Sequence, residues 1–489
     1  MISRAEYEAL QQQNTALRHE LDQLKRLIFG AKSERLLPTT PPQQMALWQE
    51  ASEPAAPISS ENNVITTRNK KRQVHPGRTA LPDHLPVEEI TLEPEEDITG
   101  LECIGREVTD TLDYRPGRLI VIRRIRPKYA RPAADGSTVT VLVADLPSRP
   151  IDKGIPEPGL LAELCVAKYV DHLPFYRQVK RFERDHGWIV SKATVGDWFA
   201  ATCTLLDPLY RVLLALVVST DYLQVDESTI KVLDSQKKGK THLGYAWVYR
   251  DPASGLILFD YRRGRGAHGV MERLSDFSGY LQTDGYRAYQ TYLRAHPEVE
   301  GVSCLAHIRR KFFDARDHHR RIADVALAAI GYLYHVDAHC RRRSRSADER
   351  LGLRQRLSQR VYLALIDWVA YEQANNLSKG SIGKALHYAK NELPKLAACF
   401  EDGRIELDNN LIENSIRPLA LGRKNYLFAG SHQGAQRAAM MYSFFASCQK
   451  LGVNPRDWLA DVLDRIADHP VNRLRELLPD QWVKQANKT

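Results

Sequence analysis

Near the start of the chain Tyr7, Leu10, Asn14, Leu17, Leu21, Leu24 and Ile28 alternate spacings of three and four, which places them on the a/d seam of one helix. Glu, Lys and Arg surround the seam, and the pattern predicts a coiled coil over residues 1–37. Asn14 at an a position fixes a two-stranded register, favouring a homodimer or a higher oligomer; docking of the seam on the protein's own body is the rival. Residues 38–74 turn to Pro, Gln, Ser, Ala and Glu, the composition of a linker. From Leu119 to Ile125 and from Thr138 to Ala144 β-branched residues dominate around a turn at Asp135-Gly136, predicting a small β-rich domain over 75–148.

Over 149–218 the apolar period becomes helical. LLAELCVAKYV, LPFYRQVKRFERDHG and SKATVGDWFAATCTLLDPLY are three helical segments, broken at Pro174 and Gly187, with Ser191 as an N-cap. Arg177, Lys180, Arg181 and Arg184 lie on the middle one, which suits a helix-turn-helix-like DNA-binding domain; a plain three-helix support fits the same pattern. After Ser219 strand signals take over. YLQVDESTIKVL, THLGYAWVYR and GLILFDYRR predict three antiparallel strands, with SQKKGK as a hairpin tip. A helix around Ala267–Phe277, a strand GYLQT ending at Asp284-Gly285, a helix around Ala288–Leu293 and a strand near Val302–Leu305 follow. That βββαβαβα order over 219–311 is a ribonuclease-H-like plan. Residues 312–405 are helical in pattern and read as an insertion before DNNLIENSIRP, where the core resumes over 406–450, with a helical tail over 451–489. The fold class is multidomain, α+β and α/β.

The 489 residues leave room for about three domains, and 43% hydrophobic residues exclude a disordered chain. Apolar runs such as 212–218 fall short of the ~20 residues a bilayer requires, and no signal-peptide pattern opens the chain, so no membrane partner and a cytoplasmic location are expected. The seven cysteines are scattered and form no C-x-x-C pair, which predicts reduced thiols. Lysine and arginine number 69 against 60 acids. Residues 301–360 concentrate 14 basic side chains against 6 acidic ones, and 117–131 carry basic residues without an acid, including Arg123, Arg124 and Arg126. A polyanion is the expected partner. Residues 81–100, by contrast, carry seven acids and no lysine or arginine.

Asp226 and Asp284 each end an apolar half-strand, so on neighbouring strands they emerge at one sheet edge. Two acids there repel each other unless a hard divalent cation binds them through oxygen. Glu413 lies on a helix starting at Asp408, an N-cap, and expected to end before Pro418; it closes the site from the side. Asp221 and Glu227 flank the first acid and are the alternatives to it. Cys304 and His307 form a C-x2-H pair, but two ligands do not make a structural metal site. Arg309, Arg310 and Lys311 follow that pair, Arg417 lies one turn after Glu413, and Arg423-Lys424 come next; these are the phosphate-positioning candidates. Tyr426 and Phe428 either stack on an unpaired base or pack in the core, which is favoured.

VDESTIKVLD, LQTDGYRAYQ, CLAHIRRKFFDA and DNNLIENSIRPLALGRKNYLFAGSHQGAQRAAMMYSF together closely resemble the bacterial DDE transposases of the insertion-sequence-sixty-six family. LRHELDQLKRLIFGAKSERL, HPGRTALPDHLP, RPKYA and AKYVDHLPFYRQ extend the resemblance over nearly the whole chain. It implies that Asp226, Asp284 and Glu413 are the catalytic and metal-binding acids, with two Mg²⁺ or Mn²⁺ ions per site. It also implies cleavage and strand transfer of double-stranded DNA at the element's ends, with accessory proteins encoded alongside, in a bacterial cytoplasm at the nucleoid. Many relatives carry a cysteine zinc-binding module before the segment matched here by VTDTLDYRPGRLIVIRRIRPKYA. This chain offers only Cys103 there, so no structural zinc is expected, and Ile120, Ile122 and Ile125 are left to supply a core. A non-catalytic DNA-binding regulator derived from a transposase is the alternative, followed by a nuclease that cuts without joining.

Overall fold

The computed structural model describes residues 81, 85–94, 96–115, 117–132, 139–234, 239–376 and 379–486. The coiled coil expected over 1–37, the linker over 38–74 and the turn at Asp135-Gly136 lie outside them. Strands β1 (Val87–Thr91), β2 (Glu102–Arg115), β3 (Arg118–Pro132) and β4 (Val139–Val143) form a first sheet, in which β2 runs antiparallel along almost all of β3. The register sets Glu107 opposite Arg126 and Asp110 opposite Arg123, the arrangement that favours opposite charges across strands. Glu89 of β1 also meets Arg123, at 3.4 Å, and the Tyr129 hydroxyl donates to Glu93 at 2.7 Å. The basic stripe of 117–131 thus pairs with acids from β1, β2 and the segment just after β1. Ile120, Ile122 and Ile125 are buried, while Cys103 is exposed.

Helices α1 (Pro158–Tyr169), α2 (Phe175–His186) and α3 (Lys192–Val218) follow. Gly187 ends α2 at φ 62°, a conformation that costs glycine nothing. Ser191 caps α3 by accepting the Thr194 amide at 3.0 Å. By length and composition α3 could cross a membrane, although its separate apolar runs are short. Its Leu206, Leu209, Leu213 and Val217 are buried in the main core, and Tyr210 donates its hydroxyl to the Phe259 carbonyl at 2.7 Å.

Lys168 of α1 sits 3.8 Å from the Phe175 ring centroid. Burial pulls its ammonium down to about 8 from 10.5. A folded state that holds this proton less tightly than the unfolded chain loses stability below pH 8 and recovers it as pH rises through 8 to 10.5. Lys168→Met is therefore expected to stabilise the protein by about 2 kcal/mol at pH 7, with the difference fading by pH 10.5. Urea unfolding of both proteins at pH 7 and pH 10.5 checks this; no gain at pH 7 would show that the cation–ring contact offsets the burial cost.

The second sheet has the order β7-β6-β5-β8-β9. Strands β5 (Tyr222–Leu233), β6 (Thr241–Arg250) and β7 (Ile257–Arg262) are antiparallel, and β8 (Gly279–Gln282) and β9 (Val299–Val302) join β5 in parallel. Helices α4 (Ala267–Arg273) and α5 (Arg287–Ala295) make the connections. β9 ends at Val302, earlier than the pattern near Val302–Leu305 predicts, because Cys304 already caps helix α6 (Leu305–Ala315). α6 also runs across the boundary expected at 311/312.

Helices α7 (Arg320–Arg342), α8 (Ala347–Leu353), α9 (Gln359–Asn375) and α10 (Ser381–Glu392), with a π turn at Arg354–Ser358 and a 3₁₀ segment at Leu393–Phe400, build the insertion. It has its own core, in which Leu333, Tyr362, Leu365, Leu386 and Phe400 join Ile308 and Phe312 of α6.

Helices α11 (Asn410–Tyr426), α12 (His432–Lys450), α13 (Pro455–Arg465) and α14 (Pro479–Ala486) complete the chain. α12 covers the edge strand β7, where Ser447 and Ser443 accept the Ile257 and Phe259 amides at 2.9 and 2.8 Å and so blunt the open edge. One core cluster runs from Leu85 to Leu478. The divisions expected at 148/149, 218/219 and 450/451 are thus changes of pattern within one core. The helix carrying Glu413 begins at Asn410, not Asp408, and passes through Pro418 to Tyr426. Buried Leu419 and Gly422 beyond the proline supply packing that outweighs its missing N–H.

Candidate active site

Strands β5 and β8 pair Tyr222 with Tyr280, Leu223 with Leu281 and Gln224 with Gln282. Asp226 and Asp284 each stand two residues past the paired glutamines, but β5 does not end at Asp226 as expected: it runs on to Leu233, so Asp226 lies inside the strand and Asp284 just past the end of β8, near enough for their charges to interact. The glutamine side chains lock this register: Gln224 Nε2 donates to Gln282 Oε1 at 2.9 Å, and both are fully buried. Gln282 Nε2 in turn donates to the Glu406 carbonyl at 2.7 Å, and Gln224 Nε2 to the Asp408 carbonyl at 3.2 Å.

Those bonds deliver the chain into α11 beside Asp226. Asn409 Nδ2 donates to the Val225 carbonyl at 3.1 Å, Cys304 Sγ accepts the Asn409 amide at 3.1 Å, and Arg250 donates to the Leu411 carbonyl at 2.7 Å. Glu413, in the first turn of α11, is thereby positioned by β5, β6 and the start of α6. Its Oε1 lies 3.9 Å from His307 Nε2, while His307 Nδ1 is buried without a partner among the described residues. Cys304 is thus a buried acceptor for α11.

Asp226 Oδ1 accepts the Glu227 amide at 2.7 Å, and Asp284 Oδ1 accepts the Tyr286 amide at 2.9 Å. Burial pushes the Asp226 carboxyl well above the usual range, and the charges of Asp284, Glu227 and Glu413 push it the same way. The alternatives to Asp226 are engaged elsewhere. Glu227 is bound by Arg265 and by the Tyr289 hydroxyl, the latter at 2.6 Å, and Asp221 pairs with Arg404 at 2.9 Å. The acids offer the all-oxygen donor set of a hard divalent cation. Among the described residues, no three His, Cys, Asp or Glu side chains are close enough to form a ready metal cage; waters and phosphate oxygens would have to complete any coordination shell.

The basic candidates divide into two groups. Arg310, Lys311, Arg417 and Lys424 are exposed on α6 and α11, the helices that carry His307 and Glu413, with Arg309 partly buried on α6. Arg423 instead clamps α11 to β5, donating to the Thr229 carbonyl at 2.7 Å. Arg124 is bidentate with buried Glu157, at 2.7 and 3.0 Å. Arg123 is held by Asp110, and Arg126 by Glu107 and the Ala144 carbonyl. On α2, Arg181 pairs with Glu163, Lys180 with Glu183, and Arg177 with the Tyr176 hydroxyl. Arg124 and Arg126 are thus largely spent inside the fold, whereas Arg177 and Lys180 are exposed, and their surface contacts leave them open to phosphates. Tyr426 is half-buried against Tyr442, whereas Phe428 is 40% exposed, following Leu427 in a tight turn at φ 64°.

Gln224, Gln282, Asn409 and Arg250 are site residues that the pattern of charges does not single out. A signal for the first two does exist: Leu-Gln-Val-Asp at 223–226 and Leu-Gln-Thr-Asp at 281–284 are the same motif on neighbouring strands.

A family model described as Transposase IS66 family matches residues 153–437, and one described as IS66 C-terminal element matches 443–479. A third, described as Transposase C of IS166 homeodomain, matches 16–90. Among the relatives, Uncharacterized protein y4qI of Sinorhizobium fredii (strain NBRC 101917 / NGR234) is 34% identical over 93% of this chain and 87% of its own length. Uncharacterized protein y4jD of the same strain is 32% identical over 95% of this chain and 94% of its own. With the family model covering more than half of its residues and such relatives spanning nearly all of it, the chain belongs to the IS66 family of transposases.

Proposed function

We propose that the chain binds the terminal inverted repeats of an insertion sequence and catalyses metal-dependent strand cleavage and strand transfer with Asp226, Asp284 and Glu413. The observation that carries this reading is the convergence of the two aspartates where β8 ends beside β5, with Glu413 tethered beside them. The strand order, three antiparallel and then two parallel, supports a ribonuclease-H-like core. Carboxylate oxygens of the three acids would hold Mg²⁺ or Mn²⁺, two ions with DNA bound. Such ions activate an attacking oxygen and stabilise the leaving oxygen of an in-line displacement on phosphorus.

In the first displacement water attacks the phosphodiester at the element's end and a 3′-hydroxyl leaves. In the second, that hydroxyl attacks a phosphodiester of target DNA. Arg310, Lys311, Arg417 and Lys424 would hold flanking phosphates, and the buried glutamine pair with Asn409 would keep the acids in register throughout. Self-association through the N-terminal seam and accessory proteins of the element belong to the same proposal.

The rival reading is a regulator that binds DNA without cutting. The assay is cleavage and joining of DNA carrying the element's ends. Wild-type protein is expected to give 3′-hydroxyl ends and joined products with Mg²⁺ or Mn²⁺, and neither with a chelator. End binding without product in either ion would replace the enzyme by the regulator.

A further inference from the structure

Gly285, next to Asp284, lies on the wall of a cleft of about 990 Å³ between α5, α6 and the insertion helix α10. Three elements supply its charge: Arg294 from α5, Lys311 from α6, and Lys384 from α10, with Lys395 just beyond. One carboxylate, Glu392, stands among them, and Lys395 already pairs with it at 2.8 Å. Arg294 and Lys384 are exposed, with no ion-pair partner among the described residues. Lys311 Nζ is 5.7 Å from the centroid of Tyr388, whose hydroxyl donates to the Asp284 carbonyl at 2.9 Å. The wall of the cleft is thus bonded to the strand end that carries a catalytic acid.

Cations from separate elements facing one concavity repel each other and favour an anionic occupant. A volume of this order suits a drug-sized ligand, which is a few nucleotides of one strand and not a duplex. We propose that this cleft takes the phosphate backbone of a single DNA strand, the one continuing beyond the phosphodiester held at the three acids. The identity of that strand rests on the transposase reading; the cleft itself is built from residues outside the acid set. It gives the insertion a task, since α10 forms one wall of the strand's path. Grooves that track single strands work by this kind of backbone electrostatics.

The test compares the full-length wild type with an Arg294→Gln/Lys384→Gln protein and an Arg294→Lys/Lys384→Arg protein. Fluorescence anisotropy, without divalent ions and over a range of KCl, measures binding to an end duplex with a 3′ single-stranded extension and to the same duplex blunt. Wild type is expected to bind the extended DNA several-fold more tightly. The glutamine protein should lose most of that advantage and lower the salt slope on extended DNA by about 0.7 per lost phosphate contact. Its binding to blunt DNA should stay the same, and the charge-conserving protein should behave as wild type. Matching thermal midpoints exclude misfolding. Equal binding of the two DNAs by wild type, or equal losses on both in the glutamine protein, overturns the proposal. A protein that cuts and joins without preferring the extension loses the cleft and keeps the transposase reading; cleft-dependent binding without cutting does the reverse.

Discussion

Asp226→Asn, Asp284→Asn and Glu413→Gln, made singly, are each expected to lower strand cleavage and strand transfer by about a thousandfold or more. Binding of the element's ends should survive. Each substitution removes one oxygen ligand of nearly unchanged shape. Losing several kcal/mol of charge stabilisation in the transition state is worth about three powers of ten. The stability of the same proteins separates this from simple damage. Asp226 is unfavourable as a carboxylate because it is buried and because Asp284, Glu227 and Glu413 crowd it, so Asn at 226 relieves both the burial of a charge and a repulsion. The inactive Asp226→Asn protein is expected to melt no lower than wild type in metal-free buffer, and Mg²⁺ should raise the wild-type midpoint more than that of the variant. Retention of a tenth of the activity by any of the three would remove that residue from the catalytic set.

The second large effect lies far from the acids. Arg354, in the π turn of the insertion, is 1% exposed. It is bidentate with equally buried Asp337 at 2.8 and 2.6 Å, and it donates to the Cys399 and Ile405 carbonyls at 2.9 and 2.8 Å. Burial works against the guanidinium charge, but Asp337 outweighs it and holds the proton more tightly than usual. Arg354→Met would strand one buried carboxylate and two carbonyls, at a cost of about 3–5 kcal/mol. The paired change Arg354→Met/Asp337→Leu removes the stranded charge and should recover a good part of that loss. Urea unfolding of the three proteins measures both differences. A single variant within about 1 kcal/mol of wild type would show that water or a neighbour solvates Asp337 after all.

How far the chain could be read depends on which surfaces each segment buries. Gly187 and Ser191 punctuate the helices by their backbone freedom and capping side chain, and β5 to β8 announce themselves because at least one face of each is apolar, while β9, at Val299–Val302, lies ahead of the apolar run near Val302–Leu305. β2 is invisible in the pattern: among its described side chains only Thr111 and Leu112 are buried, and its register is set by pairing with Arg123 and Arg126 rather than by an apolar stripe. That hidden strand also supplies acids to the basic stripe, pairing Asp110 with Arg123 and Glu107 with Arg126, while Arg124 answers Glu157 at the start of α1. Pro418 misleads because local backbone chemistry argues for a stop, while the buried residues beyond it decide otherwise. Of the candidate site, the two aspartates are legible as acids that follow apolar half-strands, although β5 runs on past Asp226 to Leu233, and Glu413 through its helix. Asn409, Arg250 and the glutamine pair are not, since an uncharged or lone polar residue gains its role only from what the fold sets opposite it.

The insertion leaves and rejoins the sheet at almost the same point. The Leu305 amide bonds the Leu407 carbonyl at 2.9 Å, so nearly a hundred residues begin and end one hydrogen bond apart. A segment with touching ends and a core of its own can be exchanged as a cassette. A short loop joining the two ends would keep the Gln224–Gln282 bond across the strands while giving up the one to Glu406, and a different helical bundle could be grafted between them. Descent could therefore lengthen, shrink or replace this part while the acids stay where they are, and a circularly permuted chain opened within the bundle is the laboratory version of the same freedom.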